Sequence, residues 1–224
     1  MWCIPPRSNA DFVCKMEDVL DVYKRPYDIK RPMVCMDETS KQLVGEVRKP
    51  IAVVPGKPAK YDNEYIRNGV ANIFMFCEPL AGKRHVIVTD RRTKMDWSLC
   101  VRELVDKVYP NAERIVLVHD NLNTHKLSSL YDAFHPKVAK RIADRLEIHY
   151  TPKHGSWLNM AEIELSIISR QCLNQRIGNK EKLTSEISSW EKEKNQTNSK
   201  IDWQFTTEDA RIKLRKLYPS IEVR

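Results

Sequence analysis

Residues 32–43, PMVCMDETSKQL, contain a short apolar run, MVCM, that ends directly at Asp37. A continuous apolar run of this length is typical of a strand that is buried on both faces of a sheet. The stretch VLVHDNLNTH at 116–125 has the same pattern, because Asp120 stands one residue after the end of an apolar run. The sequence therefore predicts two buried strands, each with an aspartate just past its end.

The rest of the chain alternates between strand-like and helix-like patterns, with prolines and glycines at the turns. The predicted elements are a helix to about residue 23 that Asn9 caps, a strand at 33–36, an excursion or weak hairpin at 41–68, a hairpin of strands at 70–76 and 85–89, a helix at 95–108, a strand at 115–118, a helix at 136–145, a strand at 146–150, and helices at 157–173, 180–195 and 207–217. This order predicts an α/β fold with a mixed sheet.

Composition excludes some classes of protein. The chain has 224 residues, of which 42% are hydrophobic and 30% charged, which suits one large domain or two small ones. No apolar segment approaches about 18 residues, and the start lacks the apolar core of a signal peptide, so we expect neither a membrane span nor export. None of the six cysteines forms a C-x-x-C pair, which disfavours a zinc ribbon and indicates buried, reduced thiols in a cytoplasmic protein. The net charge of +8 is spread along the chain and barely favours a nucleic-acid partner.

The two aspartates are candidate ligands for divalent metal ions. Open α/β sheets place their ligand sites outside the carboxyl ends of the strands, so Asp37 and Asp120 would face each other if their strands are neighbours. A third carboxylate from the helix at 157–173 would complete a cluster whose charges repel one another unless a cation lies among them. Mg²⁺ suits such oxygen-only sites, and two ions about 3.5–4 Å apart clamp the attacking and leaving oxygens of a displacement at phosphorus. Water or a DNA 3′-hydroxyl is then the nucleophile.

The pattern alone has a simpler explanation at each position. An aspartate after a strand is more often a turn former or a helix cap than a metal ligand. His119 and His125, which flank the second aspartate, are likewise more often packed or hydrogen-bonded side chains than ligands. The metal-site hypothesis therefore needs support beyond spacing.

Three separated motifs supply that support. PMVCMDETSKQL, VLVHDNLNTH and YTPKHGSWLNMAEIELS at 150–166 closely resemble insertion-sequence transposases of the bacterial branch of the mariner superfamily, over about residues 2 to 218. The resemblance implies a ribonuclease-H-like fold, with a five-stranded mixed sheet flanked by helices. It also implies a DDE triad of catalytic residues that binds two Mg²⁺ or Mn²⁺ ions. Asp37 and Asp120 match its first two members, and Glu162, in the motif L-N-x-x-E, matches the third.

The third member of the triad has a neighbour of the same type, Glu164. Helical geometry places the two glutamates on opposite flanks of the apolar face, each about 70–90° from its centre. Only one can face the site, and the periodicity does not select between them. The L-N-x-x-E match favours Glu162 and keeps Glu164 as the alternative third ligand. We expect the glutamate that is not a ligand to be a solvated surface charge.

Residues beside these motifs are candidates for orienting the ligands or contacting DNA. They are Glu38, Asn121, Asn123 and His125 next to the two aspartates, Lys153 and His154 in a glycine-containing loop, and Asn159 in the third motif. A purely structural role explains the loop residues about equally well.

The resemblance further implies a DNA transposase. Such an enzyme cleaves double-stranded DNA at the terminal inverted repeats of its own element by metal-dependent phosphoryl transfer, and joins the 3′ ends to target DNA at TA dinucleotides. We expect a homodimer in the active complex, a bacterial cytoplasmic location at the nucleoid, and neither a membrane partner nor a small-molecule cofactor. The alternatives are a catalytically silent fragment that binds DNA or full-length transposase, and another nuclease of the same fold, such as a junction resolvase.

The chain departs from the family in the interval between its second and third motifs. Between Asp120 and Glu162 there are 41 residues, more than in the animal mariner branch. The surplus, at about 126–146, is either a DNA-facing surface or a solvated helix face. Its cations are Lys137, Lys140, Arg141 and Arg145.

The second departure concerns domain organisation. Helix-turn-helix domains usually precede the catalytic domain, whereas only roughly 30 residues precede the first predicted strand here. We predict a lead-in helical segment at 1–30, a catalytic core at 31–178 and a C-terminal helical extension at 179–224. We therefore expect weak, non-specific and salt-dependent DNA binding.

Overall fold

Five strands form one sheet in the computed structural model of the chain, which describes residues 4–5, 7–58, 60 and 62–219. The strands are β1 (Met33–Glu46), β2 (Tyr65–Glu78), β3 (Lys83–Thr89), β4 (Ile115–His119) and β5 (Leu146–Tyr150). They lie in the order β3-β2-β1-β4-β5, and the β1–β4 and β4–β5 pairs are parallel, whereas β1–β2 and β2–β3 are antiparallel. The predicted five-stranded mixed sheet is confirmed.

Helices cover both faces of this sheet. One face packs against α1 (Ala10–Tyr23), α5 (Met160–Gln171), α6 (Lys180–Thr197) and α7 (Thr207–Lys213). The other face packs against α2 (Lys94–Glu103), α3 (Leu127–Ala133) and α4 (Pro136–Asp144). Successive residues of β1 alternate between the two cores, since Cys35 lies in the first and Val34 in the second. Burial on both faces explains why β1 and β4 begin as continuous apolar runs.

Local capping sets the helix boundaries. Asn9 caps α1 by accepting a hydrogen bond from the backbone N–H of Phe12 (3.0 Å), as predicted. Thr206 and Asp209 form a reciprocal capping box at the start of α7. The shorter turns are a π-helical turn at Leu104–Val108 after α2 and 3₁₀ turns at Ser156–Leu158 and Arg215–Leu217. The short helix α3 was not predicted as a separate element.

β1 and β2 are longer than their apolar segments. The prediction of a strand confined to 33–36 is wrong. Of the two alternatives predicted for 41–68, an excursion or a weak hairpin, the structure shows the hairpin, with paired ends and a long loop between them. β1 continues to Glu46 and β2 begins at Tyr65, in an antiparallel ladder whose register shifts between Gln42 and Val44. The outer half of β2 is exposed, so no burial pattern marks it as a strand.

Two predictions from composition concern cysteines and membranes. Four cysteines are buried free thiols, as expected, but Cys14 is exposed and Cys3 lies outside the described residues. The buried ones are Cys35, Cys77, Cys100 and Cys172. Within the described ranges, no helix has the length and apolar character needed to span a bilayer.

Candidate active site

Asp37 and Asp120 lie side by side on neighbouring strands. In the parallel ladder of β1 and β4, Cys35 is opposite Val118, and each aspartate lies two residues further along its chain. Asp120 follows the last residue of β4, as predicted. Asp37 is not past a strand end, because β1 continues through it and pairs it with Met75 of β2. The two aspartates therefore mark the point where the parallel half of the sheet ends.

A cleft of about 360 Å³ lies between β1 and α5. Its lining residues are Asp37, Glu38, Thr39, Glu162, Leu165, Ser166 and Ser169. Glu162 is exposed in the first turn of α5 and shares a helix face with Ser166 and Ser169. Neither serine was among the predicted site residues. Their positions four and seven residues after Glu162 are a helical spacing from which they could have been predicted.

Three carboxyl groups line the cleft, and Asp120, on the neighbouring strand, is coupled to them although it is not part of the lining. Burial raises the pKa of Asp37 from its ordinary 3.8 to about 7, although a hydrogen bond from the backbone N–H of Glu38 (2.8 Å) lowers it. The charges of Glu162, Glu38 and Asp120 raise the pKa of Asp37 further. Burial also raises the pKa of Glu38. Asp37, Glu38, Asp120 and Glu162 therefore form one electrostatically coupled acidic cluster.

His125 joins two of these carboxylates. Its Nδ1 lies 2.6 Å from Asp120 Oδ1, and its Nε2 lies 3.4 Å from Glu38 Oε2. The ring is buried and stacks on Trp97, with ring centroids 5.9 Å apart. Because a carboxylate accepts hydrogen bonds, His125 donates from Nδ1 and holds Asp120 in a fixed orientation. Trp97 was not predicted as part of this region.

His119, Asp120 and His125 also offer metal-binding atoms that all lie within 4.8 Å of one another. His119 is fully buried, and its Nδ1 donates to the backbone carbonyl of Asp120 (2.7 Å). Its ring packs edge-on against Tyr150, with centroids 5.0 Å apart, and burial lowers its pKa to about 4. Both histidines beside Asp120 are therefore buried by packing, whereas the Asp120 side chain itself is 33% exposed. This arrangement fits the packed role over the ligand role for His119.

Asn159 links Asp37 to the start of α5. Its Nδ2 donates to the carbonyl oxygen of Met36 (2.8 Å) and to Asp37 Oδ2 (3.3 Å), while its Oδ1 accepts from the N–H of Ala161 (3.1 Å). The residue is 1% exposed and caps α5, so the predicted helix at 157–173 is divided at this position. One buried amide therefore orients both the helix and the Asp37 carboxylate.

The two glutamates of α5 have different surroundings. Glu162 is exposed at the cleft, whereas Glu164 is 1% exposed and forms an ion pair with Arg84, with 2.6 Å between Oε1 and Nη2. The expectation of a solvated surface charge is therefore wrong for Glu164. Arg84 was not predicted, because nothing in the pattern of β3 distinguishes a buried arginine from an exposed one. The geometry places Glu162, and not Glu164, beside Asp37.

The remaining predicted candidates are exposed and lie outside the cleft lining, namely Asn121, Asn123, Lys153 and His154. His154 has a left-handed φ of 67°. A Cβ at Gly155 would lie 2.5 Å from the Pro152 ring, so close packing restricts this loop. Lys153 and His154 therefore lie in a loop whose backbone conformation is restricted by the packing of Gly155 against Pro152.

The basic helix α4 is engaged with the rest of the chain. Arg141 forms a bidentate pair with Asp106 (2.6 and 3.0 Å), and Lys140 pairs with Asp144 on the same helix. Arg145 donates to a backbone carbonyl 2.9 Å away. Three of the four cations thus have partners, whereas Lys137 is exposed, so both predicted roles of 126–146 stay open.

The donor atoms at the cleft fit divalent cations. Asp37, Asp120 and Glu162 offer only oxygen, which Mg²⁺ and Mn²⁺ prefer. Glu38 Oε2 is buried beside them and accepts no hydrogen bond from the described residues. Across the described ranges, the only ion-pair partner of Asp120 and Glu38 is His125, and no lysine or arginine forms an ion pair with this cluster, although the charge of Arg92 lowers the pKa of Glu38. The negative charge of the cleft is therefore left for a bound cation.

Comparison with known proteins identifies the family. Residues 32–184 match the model described as DDE superfamily endonuclease, whereas no curated protein matches the chain. The chain is similar to the catalytic domain of Mos1 mariner transposase, with 13% identity and a TM-score of 0.55 over 88% of this chain and 90% of that one. It is also similar to the Mos1 mariner paired-end complex with Mn (18% identity, TM-score 0.56, 88% of this chain and 60% of that one). The Mos1 strand transfer complex is similar as well, with 17% identity and a TM-score of 0.57 over 84% of this chain and 55% of that one.

This chain thus spans 55% to 60% of the length of the two longer Mos1 chains. At these identities the structural likeness shows the fold alone, which is ribonuclease-H-like. The family model is more informative, because its range of 32–184 exceeds half of the 224 residues and includes the whole acidic cluster. The chain belongs to the DDE superfamily endonuclease family.

Proposed function

We propose that this chain is the catalytic domain of a DNA transposase. It cleaves double-stranded DNA at the ends of a mobile element by attack of water, and it joins the resulting 3′-hydroxyl ends to target DNA. The observation that carries the proposal is the acidic cluster of Asp37, Asp120 and Glu162, which has no lysine or arginine partner in the described part of the chain. The family match supports a nuclease over an unrelated metal-binding protein.

In this proposal, Asp37, Asp120 and Glu162 are the catalytic residues and hold two divalent ions, Mg²⁺ or Mn²⁺. Bound ions of this kind stabilise charge on the attacking and leaving oxygens of a phosphodiester. Mos1 mariner paired-end complexes are known with Mn and with Mg, which supports the choice of metal. A cation at the cleft also favours the ionised form of Asp37, whose pKa burial raises to about 7.

The residues around the ligands have positioning roles. Asn159 donates to Asp37 Oδ2 (3.3 Å), and His125 donates to Asp120 Oδ1 (2.6 Å). Both donors are buried, so each holds its carboxylate in one orientation before any metal binds. Glu38 adds negative charge next to the aspartates. Because water or a DNA 3′-hydroxyl attacks directly, the proposed reaction needs no nucleophile from the protein.

The partners are double-stranded DNA, both as terminal inverted repeats and as a target with TA dinucleotides. Solved Mos1 structures include paired-end and strand transfer complexes, which supports DNA ends as the substrate class. Asn121, Asn123, Lys153 and His154 are exposed and are the proposed DNA contacts. We further propose a homodimer in the active complex and a bacterial cytoplasmic location.

A nicking and joining assay tests the proposal. The chain is incubated with supercoiled plasmid and with a duplex oligonucleotide that carries free 3′-hydroxyl ends, in Mn²⁺, Mg²⁺ or EDTA. We expect metal-dependent nicking of the plasmid and covalent joining of the oligonucleotide to it. Asp120→Asn removes a charge but keeps the side-chain shape, and it should abolish both reactions. The matched control Asp144→Asn, on the exposed side of α4, should leave both unchanged.

Other outcomes of this assay would favour other functions. Nicking without joining would favour another nuclease of the same fold, such as a junction resolvase. DNA binding without either reaction would favour a silent fragment. Full activity of Asp120→Asn, or activity in EDTA, would contradict the metal site.

A further inference from the structure

A buried ion pair lies behind the helix that carries Glu162. Glu164 Oε1 is 2.6 Å from Arg84 Nη2, and the two side chains are 1% and 3% exposed. The same guanidinium donates to the carbonyl oxygens of Gly82 (2.7 Å) and Ser199 (2.8 Å). It therefore joins α5 to the turn between β2 and β3 and to the segment that follows α6.

Arg84 is itself held in place through its backbone. Its N–H donates to Asn195 Oδ1 (2.8 Å), and its carbonyl accepts from Asn195 Nδ2 (2.8 Å). At Gly82, where φ is 67°, a Cβ would lie 2.6 Å from backbone atoms of Asn198. The turn and the end of α6 are thus in direct contact, and the guanidinium is a fixed point for α5.

Burying this ion pair has a high desolvation cost. Two charges have left water, and neither Arg84 Nε nor Glu164 Oε2 has a hydrogen-bond partner among the described residues. Buried ion pairs add little net stability compared with apolar side chains of similar volume, and their best-attested use is to specify register. The neighbouring inward residues of α5, Ala161 and Ile168, make only apolar contacts, which tolerate small rotations. A directional bond from Arg84 does not tolerate them.

We infer, on the basis of the proposed function, that the Arg84–Glu164 pair sets the rotation of α5 and thereby holds the Glu162 carboxylate beside Asp37 for metal binding. Residues two apart on a helix differ by about 200° in direction. Fixing Glu164 toward the interior therefore turns Glu162 toward the cleft. Arg84 and Glu164 are positioning residues, since neither lines the cleft.

Mn²⁺ binding to the isolated protein, without DNA, tests this inference. The double variant R84M/E164L removes both charges and fills their space with apolar side chains, so no charge is left buried alone. We expect it to match or exceed the wild-type melting temperature but to bind Mn²⁺ about tenfold more weakly in a calorimetric titration. The matched control D106L/R141M removes an exposed bidentate pair (2.6 and 3.0 Å) and should keep the wild-type affinity.

Glu164→Gln provides a conservative rescue. Its amide oxygen still accepts a hydrogen bond from Arg84, so the directional contact persists without the charge. We expect its Mn²⁺ affinity to stay within about threefold of wild type, well short of the tenfold loss typical of a missing outer-shell contact. If Glu164→Gln lost as much Mn²⁺ affinity as the double variant, the inference would be overturned, because the charge of Glu164 and not its hydrogen bond to Arg84 would then determine the affinity.

A folded double variant with wild-type Mn²⁺ affinity would show that the pair only supports the fold, and would overturn the inference while leaving the proposed function intact. Failure of the folded wild-type protein to bind Mn²⁺ would overturn the proposed metal site and this inference with it. If the double variant does not fold, Arg84→Lys replaces it, since lysine keeps the charge but lacks the planar fork. Weaker Mn²⁺ binding by that variant would support the positioning role, and unchanged binding would overturn it.

Discussion

The helix α5 separates two acidic regions that are built differently. Asp37 and Glu162 line the cleft and Asp120 lies beside Asp37, and none of the three forms an ion pair with a lysine or arginine among the described residues. On the opposite side, Glu164 is 1% exposed and is paired with Arg84 at 2.6 Å. Both regions hold carboxylates close to the core, but only the second has an arginine as its ion-pair partner, whereas the first has only His125. Charge that the fold leaves uncompensated, rather than burial of acidic residues as such, therefore distinguishes the site from the scaffold.

The largest expected effect is on the paired side of α5. Glu164→Ala leaves the Arg84 guanidinium buried without its partner, so we expect a loss of roughly 3–5 kcal/mol in the free energy of unfolding. Chemical denaturation followed by circular dichroism measures it. Glu162→Ala, on the same helix but exposed, is the control and should leave the free energy of unfolding almost unchanged. Equal losses in the two variants would remove the distinction between the regions.

On the cleft side, the expected effect is on activity and not on stability. Glu162→Gln removes a proposed metal ligand, and even outer-shell partners of metals contribute about 10–100-fold, so we expect metal-dependent nicking to fall at least about 100-fold. Initial rates of plasmid nicking in Mn²⁺ give the comparison. Glu181→Gln, an exposed acid in the first turn of α6, is the matched control. Wild-type nicking by Glu162→Gln would exclude this glutamate from the triad.

The raised pKa of Asp37 predicts a smaller effect whose sign depends on pH. Because the folded pKa is about 7 and the ordinary value is 3.8, the folded protein binds more protons than the unfolded chain between these values. Its stability therefore falls as pH rises through that window. Asp37→Asn removes the loss, so we expect the metal-free protein to gain about 2 kcal/mol at pH 8 and almost nothing at pH 4. The expected gain is smaller than the free energy that corresponds to the full pKa shift, because the Asp37 side chain keeps some contact with solvent.

Denaturation in EDTA at both pH values measures the gain. The same acid-to-amide change at Asp144, which is exposed on α4, is the control and should show no such pH dependence. A loss of stability in Asp37→Asn at pH 8 would contradict the uncompensated charge at the cleft.

The smallest expected effects concern DNA binding by cations. Lys153 is exposed in the loop between β5 and α5, whereas Arg141 is paired with Asp106. Lys153→Ala should lower the slope of log affinity against log salt concentration by about 1, the value for one lost phosphate contact. Arg141→Ala should leave that slope unchanged. Fluorescence anisotropy over a salt series measures both, and the reverse ranking would favour α4 as a DNA-facing surface.

Part of this arrangement was predictable from the sequence for a physical reason. Strands buried on both faces are continuous apolar runs, so the beginnings of β1 and β4 were recognisable, and their parallel pairing then places Asp37 beside Asp120. The outer halves of β1 and β2 were predicted only as an excursion or weak hairpin, because most of their residues are exposed or half-buried and form no burial pattern.

The distinction between the two glutamates was not available from local pattern. Glu162 and Glu164 are placed symmetrically about the apolar face of α5, and helical periodicity describes only that face. What separates them is Arg84, 80 residues away in the chain, which reaches Glu164 through tertiary packing. The motif match favoured Glu162 through resemblance, whereas the packing supplies the physical difference between the two.

The most direct test of the uncompensated acidic cluster is a crystal of the protein soaked in Mn²⁺ and measured at a wavelength that gives anomalous scattering from manganese. We expect anomalous peaks in contact with Asp37, Asp120 and Glu162, and none at Glu164, whose carboxylate is already paired with Arg84. A peak bound by Glu164 would contradict this expectation. So would a well-ordered cleft without any peak at saturating Mn²⁺.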